Sequence, residues 1–311
     1  MTRLRRPASR LLPPAARRAK AQAGRRAQET GRRRRSITGS ITGLFLLLAI
    51  GCAEPPEART RIAEVEATIG TGPNAASGPS DVPRGGSLAR AAGGPAGTDY
   101  RVQAAPTPGV VLGTISGGSP KDTSIAPTHD LAVCRPFSET LVLSREGGVG
   151  DAVVWLSGVG SGPRDDAPRR VRLTLDGCRL SPRVQRLAAG STVLVNSRDA
   201  MMSRLQFTAT GEAAPRATLL LSDAGQVVPT AQASAAPGLV RVSDDMHPWV
   251  RAWLVVAPHP FVAVTAADGN FRFDGVPPGR YTLHVWHERL GTRDARVRVD
   301  GGVQTRLQLA Y

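Results

Sequence analysis

Short apolar runs of four to eight residues, separated by turn residues every eight to fifteen positions, fill the chain from about Gly109 onward. Many of these runs alternate strictly between apolar and polar residues, as in NFRFD and ARVRVD. A period of two residues places alternate side chains on opposite faces of a strand. The pattern therefore predicts an all-β fold, and about 200 residues in some fifteen strands are enough for two small sandwiches.

The alternation is clearest near the C-terminus. In NFRFDGVPPGRYTLHVW, Phe271 and Phe273 are predicted to share one face of a strand. In ARVRVDGGVQTRLQLAY, Val297 and Val299 point one way and the intervening arginines the other. The turn residues Asp-Gly-Gly at 300–302 predict a hairpin between the two flanking strands.

The positive charge of the chain lies mostly at its N-terminus. The formal net charge is +15, and residues 1–35 carry 13 basic residues against one acidic residue. From Cys52 onward, 27 basic residues face 24 acidic ones, so the remainder is nearly balanced. Nucleic-acid binding needs a basic patch on the folded part of a protein, and we therefore expect no nucleic-acid partner.

An apolar run, SITGSITGLFLLLAIGC, follows the arginines and ends in small residues before Cys52. A basic segment, a short apolar segment and a processing site together indicate an export signal over residues 1–51. The run LLLAIGC resembles a bacterial lipoprotein signal, which implies that Cys52 becomes lipid-acylated and that the membrane is a partner through this anchor. An ordinary cleaved signal and an uncleaved anchor are the alternatives. We expect a lipoprotein of the inner or outer membrane that faces the periplasm or the cell surface.

Residues 52–108 are rich in Ala, Gly, Pro and Ser and hold too few large apolar residues to form a core, which predicts a disordered tether. Two further cysteines, Cys134 and Cys178, lie 44 positions apart. An isolated pair in an exported protein usually forms a disulfide, and two buried free thiols are the alternative.

A resemblance to a known family is carried by the run VAVTAADGNFRFDGVPPGRYTLHVWHE. The matching positions are Thr265, Asp268, Gly269, Phe271, Phe273, Val276, Pro277, Pro278, Gly279, Tyr281 and Leu283. This run resembles the carboxypeptidase regulatory-like module, a transthyretin-like sandwich. The resemblance implies a fold but little about function, because such modules are mostly structural or binding appendages.

The segment from about Val171 to Val256 is similar to a cupredoxin, a Greek-key sandwich. The similarity is carried by CRLSPRVQRLAAGSTVLVNSRD and APGLVRVSDDMHPWVRAWLVV. Together the two resemblances imply a cupredoxin-like domain at 171–257, inserted into a regulatory-like sandwich that draws strands from 109–170 and 258–311.

A type 1 copper site needs a thiolate, two imidazoles and a weak thioether. The cupredoxin loop reads Cys-x-x-His-Pro-Trp-Met, and the matching positions here begin with Asp244 and end with Val250, with His247 between them. The other histidine position offers only Met202 or Ser203. Met202, Asp244 and His247 are thus the positions of a degenerate site, at which we expect no metal and no cofactor.

Aromatic and histidine residues near the two modules suggest a groove that could stack a sugar ring or a peptide. Its candidate residues are Trp249, Trp253, His259, His284, Trp286 and His287. Packing between the modules is the alternative role for these side chains.

No catalytic motif is visible in the sequence. Ser161 lies between glycines in GVGSGP but lacks the spacing of a nucleophile elbow. We therefore expect a non-enzymatic protein of the envelope that has a structural role or binds carbohydrate or another envelope protein. The two alternatives are a periplasmic metal-binding or electron-transfer protein and an accessory module of a polysaccharide-degrading enzyme.

Overall fold

The computed structural model describes residues 100–117 and 119–311. The export signal, Cys52 and most of the tether fall outside these residues. Within the two described ranges, no helix is long and apolar enough to cross a membrane.

Twenty strands and one 3₁₀ turn make up the regular structure of the described residues. In chain order they are β1 (Arg101–Val102), β2 (Gly109–Ser116), β3 (Lys121–Ile125), β4 (Phe137–Val142), β5 (Val153–Ser157), β6 (Ser161–Gly162), β7 (Arg170–Asp176), β8 (Arg179–Ser181), β9 (Val184–Ala188), β10 (Thr192–Ser197), β11 (Ser203–Ala209), β12 (Ala217–Leu221), β13 (Val227–Thr230), the 3₁₀ turn (Gln232–Ser234), β14 (Gly238–Asp244), β15 (Arg251–Ala257), β16 (Val262–Val264), β17 (Asn270–Val276), β18 (Gly279–His287), β19 (Gly291–Val299) and β20 (Gln304–Ala310). The prediction of an all-β fold is confirmed.

The first sandwich consists of a four-stranded sheet, in the order β13-β10-β7-β8, and a five-stranded sheet, in the order β12-β11-β14-β15-β9. Consecutive strands repeatedly change sheet, which is the Greek-key arrangement that the cupredoxin resemblance implies. Alternation sends Leu173, Phe207 and Leu254 into the space between the sheets, where they are fully buried.

The second sandwich takes strands from both sides of the first sandwich in the chain. Its sheets have the orders β16-β5-β18-β19 and β17-β2-β20. Phe271, Phe273, Val297 and Val299 are buried in its core, as the alternation predicts. The strand β3 pairs with β4 in a separate two-stranded sheet.

The predicted hairpin at residues 300–302 is wrong. β19 pairs with β18, whereas β20 pairs in parallel with β2 in the opposite sheet, where Leu307 lies opposite Gly113. The Asp-Gly-Gly turn reverses the chain as expected. A turn does not choose the partner of the next strand, however, and here the two apolar faces pack across the core instead of pairing side by side.

The folded part also begins before residue 109. β1 pairs in parallel with β6, and the Tyr100 hydroxyl donates to the Pro163 carbonyl at 2.7 Å. The Tyr100 ring packs against the core of the second sandwich. Residues 100–108 therefore do not belong to a disordered tether, and their order depends on partner strands more than 50 residues later in the chain.

The two sandwiches meet through an apolar layer. The outer face of β15 contributes Trp253 and Val255, and the outer face of the β5 and β18 sheet contributes Trp155 and Trp286. The rings of Trp253 and Trp286 meet edge to face, with centroids 4.9 Å apart. This contact makes the junction a third core, continuous with the sheets on either side.

Candidate functional site

The loop that contains His247 joins β14 to β15. Val240, Val242 and Asp244 alternate on the inward face of β14, so the carboxylate of Asp244 is fully buried at the end of the first sandwich. The loop is closed by two backbone hydrogen bonds, from the Val250 N–H to the His247 carbonyl at 2.8 Å and from the Asp244 N–H to the Val250 carbonyl at 3.1 Å. The loop therefore fixes the position of His247 relative to Asp244.

The His247 imidazole is buried and lies between two carboxylates. Its Nδ1 is 2.8 Å from Asp244 Oδ2, and its Nε2 is 2.8 Å from Asp130 Oδ2. Burial lowers the pKa of this imidazole, but the hydrogen bonds and charges of Asp244 and Asp130 outweigh burial and raise its pKa above the ordinary histidine value. Because carboxylates only accept hydrogen bonds, both ring nitrogens donate, and the imidazolium form fits the site.

Asp244 is itself the centre of a hydrogen-bond network. It accepts from the Ser203 hydroxyl at 2.5 Å, from the Met246 N–H at 2.9 Å and from the Arg204 N–H at 3.2 Å, in addition to His247. These donors compensate the carboxylate for its loss of water.

Asp130 is a residue that the sequence analysis missed. It lies 117 positions before His247, in a turn where the Cys134 N–H donates to its carbonyl at 2.7 Å. Cys134 forms a disulfide with Cys178, which confirms the predicted bridge and fastens this turn to the first sandwich. The proximity of Asp130 to a bridged cysteine is the one signal in the sequence that could have drawn attention to it.

These residues do not fit a copper ion. Met202 is about half exposed, and Val250 is buried in the core and has no ligand atom in its side chain. Both nitrogens of His247 already donate to carboxylates, which leaves no lone pair for a metal. Among the described residues, no group of three or more His, Cys, Asp or Glu side chains is arranged to hold a metal ion.

The residues predicted to form an aromatic groove lie in five separate places. Trp249 packs edge-on against His247, with ring centroids 5.4 Å apart. Trp253 and Trp286 are buried in the junction between the sandwiches. His259 is buried beside Tyr100 and Phe261, His287 is buried at the end of β18, and His284 lies partly exposed on the outer face of β18.

Two of these histidines are electrostatically unlike His247. Burial lowers the pKa of His259 to about 4 and that of His287 to about 4. His287 Nδ1 accepts from the Arg289 and Leu290 N–H groups at 3.1 and 3.3 Å, and therefore caps the turn after β18. Both rings are neutral in the folded protein at neutral pH.

Arg183 is the centre of a charged cluster beside β9. Its guanidinium contacts Glu139 at 2.5 Å and Glu288 at 2.7 Å, and Arg251 contacts Glu139 at 3.2 Å. Burial raises the pKa of Glu288, but Arg183 and Arg251 outweigh burial and the pKa is lowered overall. The cluster therefore joins the first sandwich to β4 and to the second sandwich by charge.

His284 belongs to a second hydrogen-bonded chain, on the outer face of the second sandwich. Its Nδ1 is 2.7 Å from Asp294 Oδ1, and its Nε2 is 2.8 Å from Ser157 Oγ. The Trp155 ring stacks on the imidazole, with centroids 5.0 Å apart. This constellation was missed because its three residues come from three strands, and only the fold brings them together.

A shallow groove of about 410 Å³ opens on the outer face of the five-stranded sheet. It is lined by Gln206, Thr208, Ala209, Thr210, Gly211, Glu212, Arg241, Ser243 and Trp253. Alternation explains this lining, because Arg241 and Ser243 point outward from β14 while their neighbours fill the core. Within the described ranges, neither of these two side chains has a hydrogen bond or an ion pair, so both are available to a ligand.

Comparison with known family models supports the resemblance to the regulatory-like module. Residues 207–311 match the family model of the carboxypeptidase regulatory-like domain, which confirms that resemblance. The match begins inside the first sandwich and so does not follow the boundary between the two sandwiches. No curated protein matches the chain significantly.

Several solved structures are similar to part of the chain. A novel purple cupredoxin from Nitrosopumilus maritimus is 13% identical, with 28% of this chain and 99% of that one covered and a TM-score of 0.24. Amicyanin from Paracoccus versutus is 20% identical, with 29% and 85% covered and a TM-score of 0.24. A copper-containing nitrite reductase from Thermus scotoductus SA-01 is 18% identical, with a TM-score of 0.25; the match covers 28% of this chain and 22% of the reductase.

Proposed function

We propose that the folded part of this chain is a binding module of the bacterial cell envelope that recognises carbohydrate and holds no metal. The observation that carries the proposal is the pairing of both His247 nitrogens with carboxylates. The paired imidazolium of His247 stabilises the loop between β14 and β15 and is not free to bind a metal. We therefore assign ligand binding to the exposed face of the first sandwich.

The groove beside Arg241 is the proposed ligand site. Hydroxyl groups on Thr208 and Ser243 and the guanidinium of Arg241 offer unpaired donors and acceptors to a polyhydroxylated ligand. Trp253 lines the groove but is 3% exposed, so recognition here rests on hydrogen bonds more than on ring stacking. The regulatory-like module, which serves mostly as an appendage in other proteins, is consistent with this role.

We also propose that the protein is exported and anchored through acylated Cys52, facing the periplasm or the cell surface. The Cys134–Cys178 disulfide supports this location, because disulfides persist in oxidising compartments. Expression of the full chain in a bacterial host with an alkyne palmitate label tests the anchor. Label on the wild-type chain and none on Cys52→Ala is the expected result; equal label on both contradicts it.

The absence of a metal role is tested on purified full-length protein by elemental analysis and by thermal unfolding with added Cu²⁺ or Zn²⁺. We expect metal far below one equivalent and no change in melting temperature. The matched variant is His247→Gln. Stoichiometric metal that is lost in this variant contradicts the proposal.

Carbohydrate binding is tested on a glycan array with full-length protein. Arg241→Ala is expected to abolish any signal, whereas Arg172→Ala, an exposed arginine on the outer face of β7, is the matched control and should retain it. An array without signal, or equal signal for both variants, contradicts the groove as a carbohydrate site.

A further inference from the structure

We propose that Ser157 is a nucleophile that cleaves carboxylic esters, with His284 as its general base and Asp294 as the residue that positions the base. The site lies on the outer face of the β5 and β18 sheet, where Trp155, which stacks on His284, also packs in the junction between the sandwiches. The inference goes beyond the binding role proposed above and would add an activity to it.

The register of three neighbouring strands builds the constellation. His284 on β18 lies directly opposite Asp294 on β19 and directly opposite Trp155 on β5. Ser157 is two residues after Trp155 and therefore shares the outer face, diagonal to His284. Diagonal neighbours in antiparallel strands lie within reach of long side chains. The contacts follow from the sheet itself and need no flexible loop.

The hydrogen-bond partners set the role of each ring nitrogen. Asp294 accepts from Nδ1–H, so the lone pair of a neutral imidazole lies on Nε2, 2.8 Å from Ser157 Oγ. The serine hydroxyl then donates to His284. This order of carboxylate, imidazole and hydroxyl is the one that activates serine in hydrolases of unrelated folds. The Trp155 ring stacks on the imidazole at an interplanar angle of 21° and supports its orientation.

Space and free donors lie next to the serine. Gly158 has a φ of +84°, and a side chain added at Gly158 or Gly160 would meet no atom within 4 Å. Among the described residues, the N–H groups of Gly158 and Val159 make no hydrogen bond. The N–H group that follows the nucleophile is a common donor to the oxyanion of acyl transfer. A small acyl group can therefore approach Ser157 from the side of this loop.

The reaction consumes an ester and water. Ser157 Oγ attacks the carbonyl carbon while its proton passes to His284 Nε2, and that proton moves to the departing alcohol as the ester C–O bond breaks. Water then attacks the acyl-serine and gives a proton to His284. The bond to Ser157 breaks, the proton returns to Oγ, and the carboxylic acid leaves.

A cross-strand polar ladder that only stabilises the sheet is the competing interpretation. A fluorophosphonate probe separates the two, since it reacts with activated serines and not with ordinary ones. We expect the full-length protein to be labelled at Ser157, located by peptide mass spectrometry, and to hydrolyse p-nitrophenyl acetate. Folded wild-type protein that takes no label at Ser157 overturns the proposal.

Variants assign the roles. Ser157→Ala should abolish labelling and hydrolysis, and Ser161→Ala, at a nearby serine in β6, is the matched control that should keep both. His284→Gln should lower the hydrolysis rate by about 100-fold or more. Asp294→Asn should lower the rate and also change its pH profile, because the imidazole loses the partner that fixes its tautomer. Activity that survives in Ser157→Ala overturns the proposal.

A further variant guards against loss of fold. Ser157→Cys keeps the approximate size and the hydrogen-bonding position of the side chain, so the protein should fold. It should lose labelling by the fluorophosphonate probe and be alkylated rapidly by iodoacetamide. If the folded cysteine variant is alkylated no faster than a denatured control peptide, His284 does not activate this position and the proposal fails.

Discussion

His247 in the first sandwich and His284 in the second both have two hydrogen-bonded ring nitrogens, yet the two sites differ in one partner and in burial. His247 lies between two carboxylates and its side chain is 0% exposed, whereas His284 lies between a carboxylate and a hydroxyl and is 15% exposed. Two carboxylates require two donors and favour an imidazolium. A carboxylate and a hydroxyl allow a neutral ring that accepts a proton.

The comparison shows how one side chain can brace a fold in one place and be ready for proton transfer in another. At His247, burial of both partners strengthens the ion pair with Asp244. At His284, partial exposure weakens the pairing but leaves the base within reach of solvent. The second partner and the exposure of the ring, more than the histidine itself, decide which role is available.

The largest effect should come from removing the buried carboxylate of the first site. Asp244→Ala leaves the imidazolium of His247 and the Ser203 hydroxyl without their acceptor, and removing one partner of a buried pair typically costs roughly 3–5 kcal/mol. Chemical denaturation should show a loss of this size in the free energy of unfolding. Asp245→Asn, at the exposed neighbouring position paired with Arg204, is the control and should lose clearly less. Equal losses would mean that the buried network does not brace the loop.

The next effect should come from the disulfide, which supports only the first site. Reducing the Cys134–Cys178 bridge, or replacing both residues by alanine, frees a 44-residue segment and should destabilise the fold by roughly 2–4 kcal/mol. Because the Asp130 turn is fastened by Cys134, the raised pKa of His247 should also fall toward its ordinary value, measurable by NMR titration. Fluorophosphonate labelling at Ser157 should persist wherever the protein stays folded, since β5, β18 and β19 contain no cysteine.

The pH dependence of stability should separate His247 from the buried neutral histidines. A raised folded pKa means that His247 contributes stability that is fully present below about pH 6.5 and is lost as the pH rises through its folded pKa. The pKa values of His259 and His287 are lowered to about 4. The contribution of these neutral rings to folding stability is therefore present above about pH 6.5 and is lost as the pH falls toward 4.

Unfolding curves at several pH values test these opposite signs. As the pH falls from 7 to 5.5, His259 and His287 should each lower the free energy of unfolding of the wild-type protein by about 1 kcal/mol. His287→Gln should remove one such loss, whereas His247→Gln should lower stability most below about pH 6.5 and least at high pH. A His247→Gln deficit that grows as the pH rises would contradict the paired imidazolium.

Much of the fold could be predicted because it depends on the period of the sequence. Alternation placed Phe271, Phe273, Val297 and Val299 in a core, and the regulatory-like motif identified the module in which they lie. Strand partners were less predictable, because the Asp-Gly-Gly turn fits either a hairpin or a corner between sheets. The partner of β20 is β2, which lies almost 200 positions earlier in the chain and pairs with it in parallel.

The sites divide in the same way. Asp244 ends β14 and His247 follows three positions later in the adjoining loop, so a sequence motif could indicate them. Asp130 and Ser157 could not be indicated, because they meet their histidines across separations of 117 and 127 positions. The Ser157 contact depends on the register of β5 and β18, and the Asp130 contact depends on a turn that the disulfide fastens to the first sandwich. Ser161 drew attention by its glycine neighbours, while Ser157 carries no local pattern at all.

The smallest effect on stability should come from the second site, and it completes the comparison. Asp294→Asn removes a carboxylate from His284 just as Asp244→Asn removes one from His247, but the Asp294 side chain is 56% exposed. Exposed pairs contribute little, typically below about 1 kcal/mol, because water solvates both partners and salt screens them. Asp294→Asn should therefore leave the free energy of unfolding within about 1 kcal/mol of wild type, with Asp244→Asn measured alongside as the matched buried substitution. If Asp294→Asn lost as much free energy of unfolding as Asp244→Asn, the chain of Asp294, His284 and Ser157 would be a structural ladder. A carboxylate that stays hydrated in the folded protein otherwise contributes little to the free energy of unfolding.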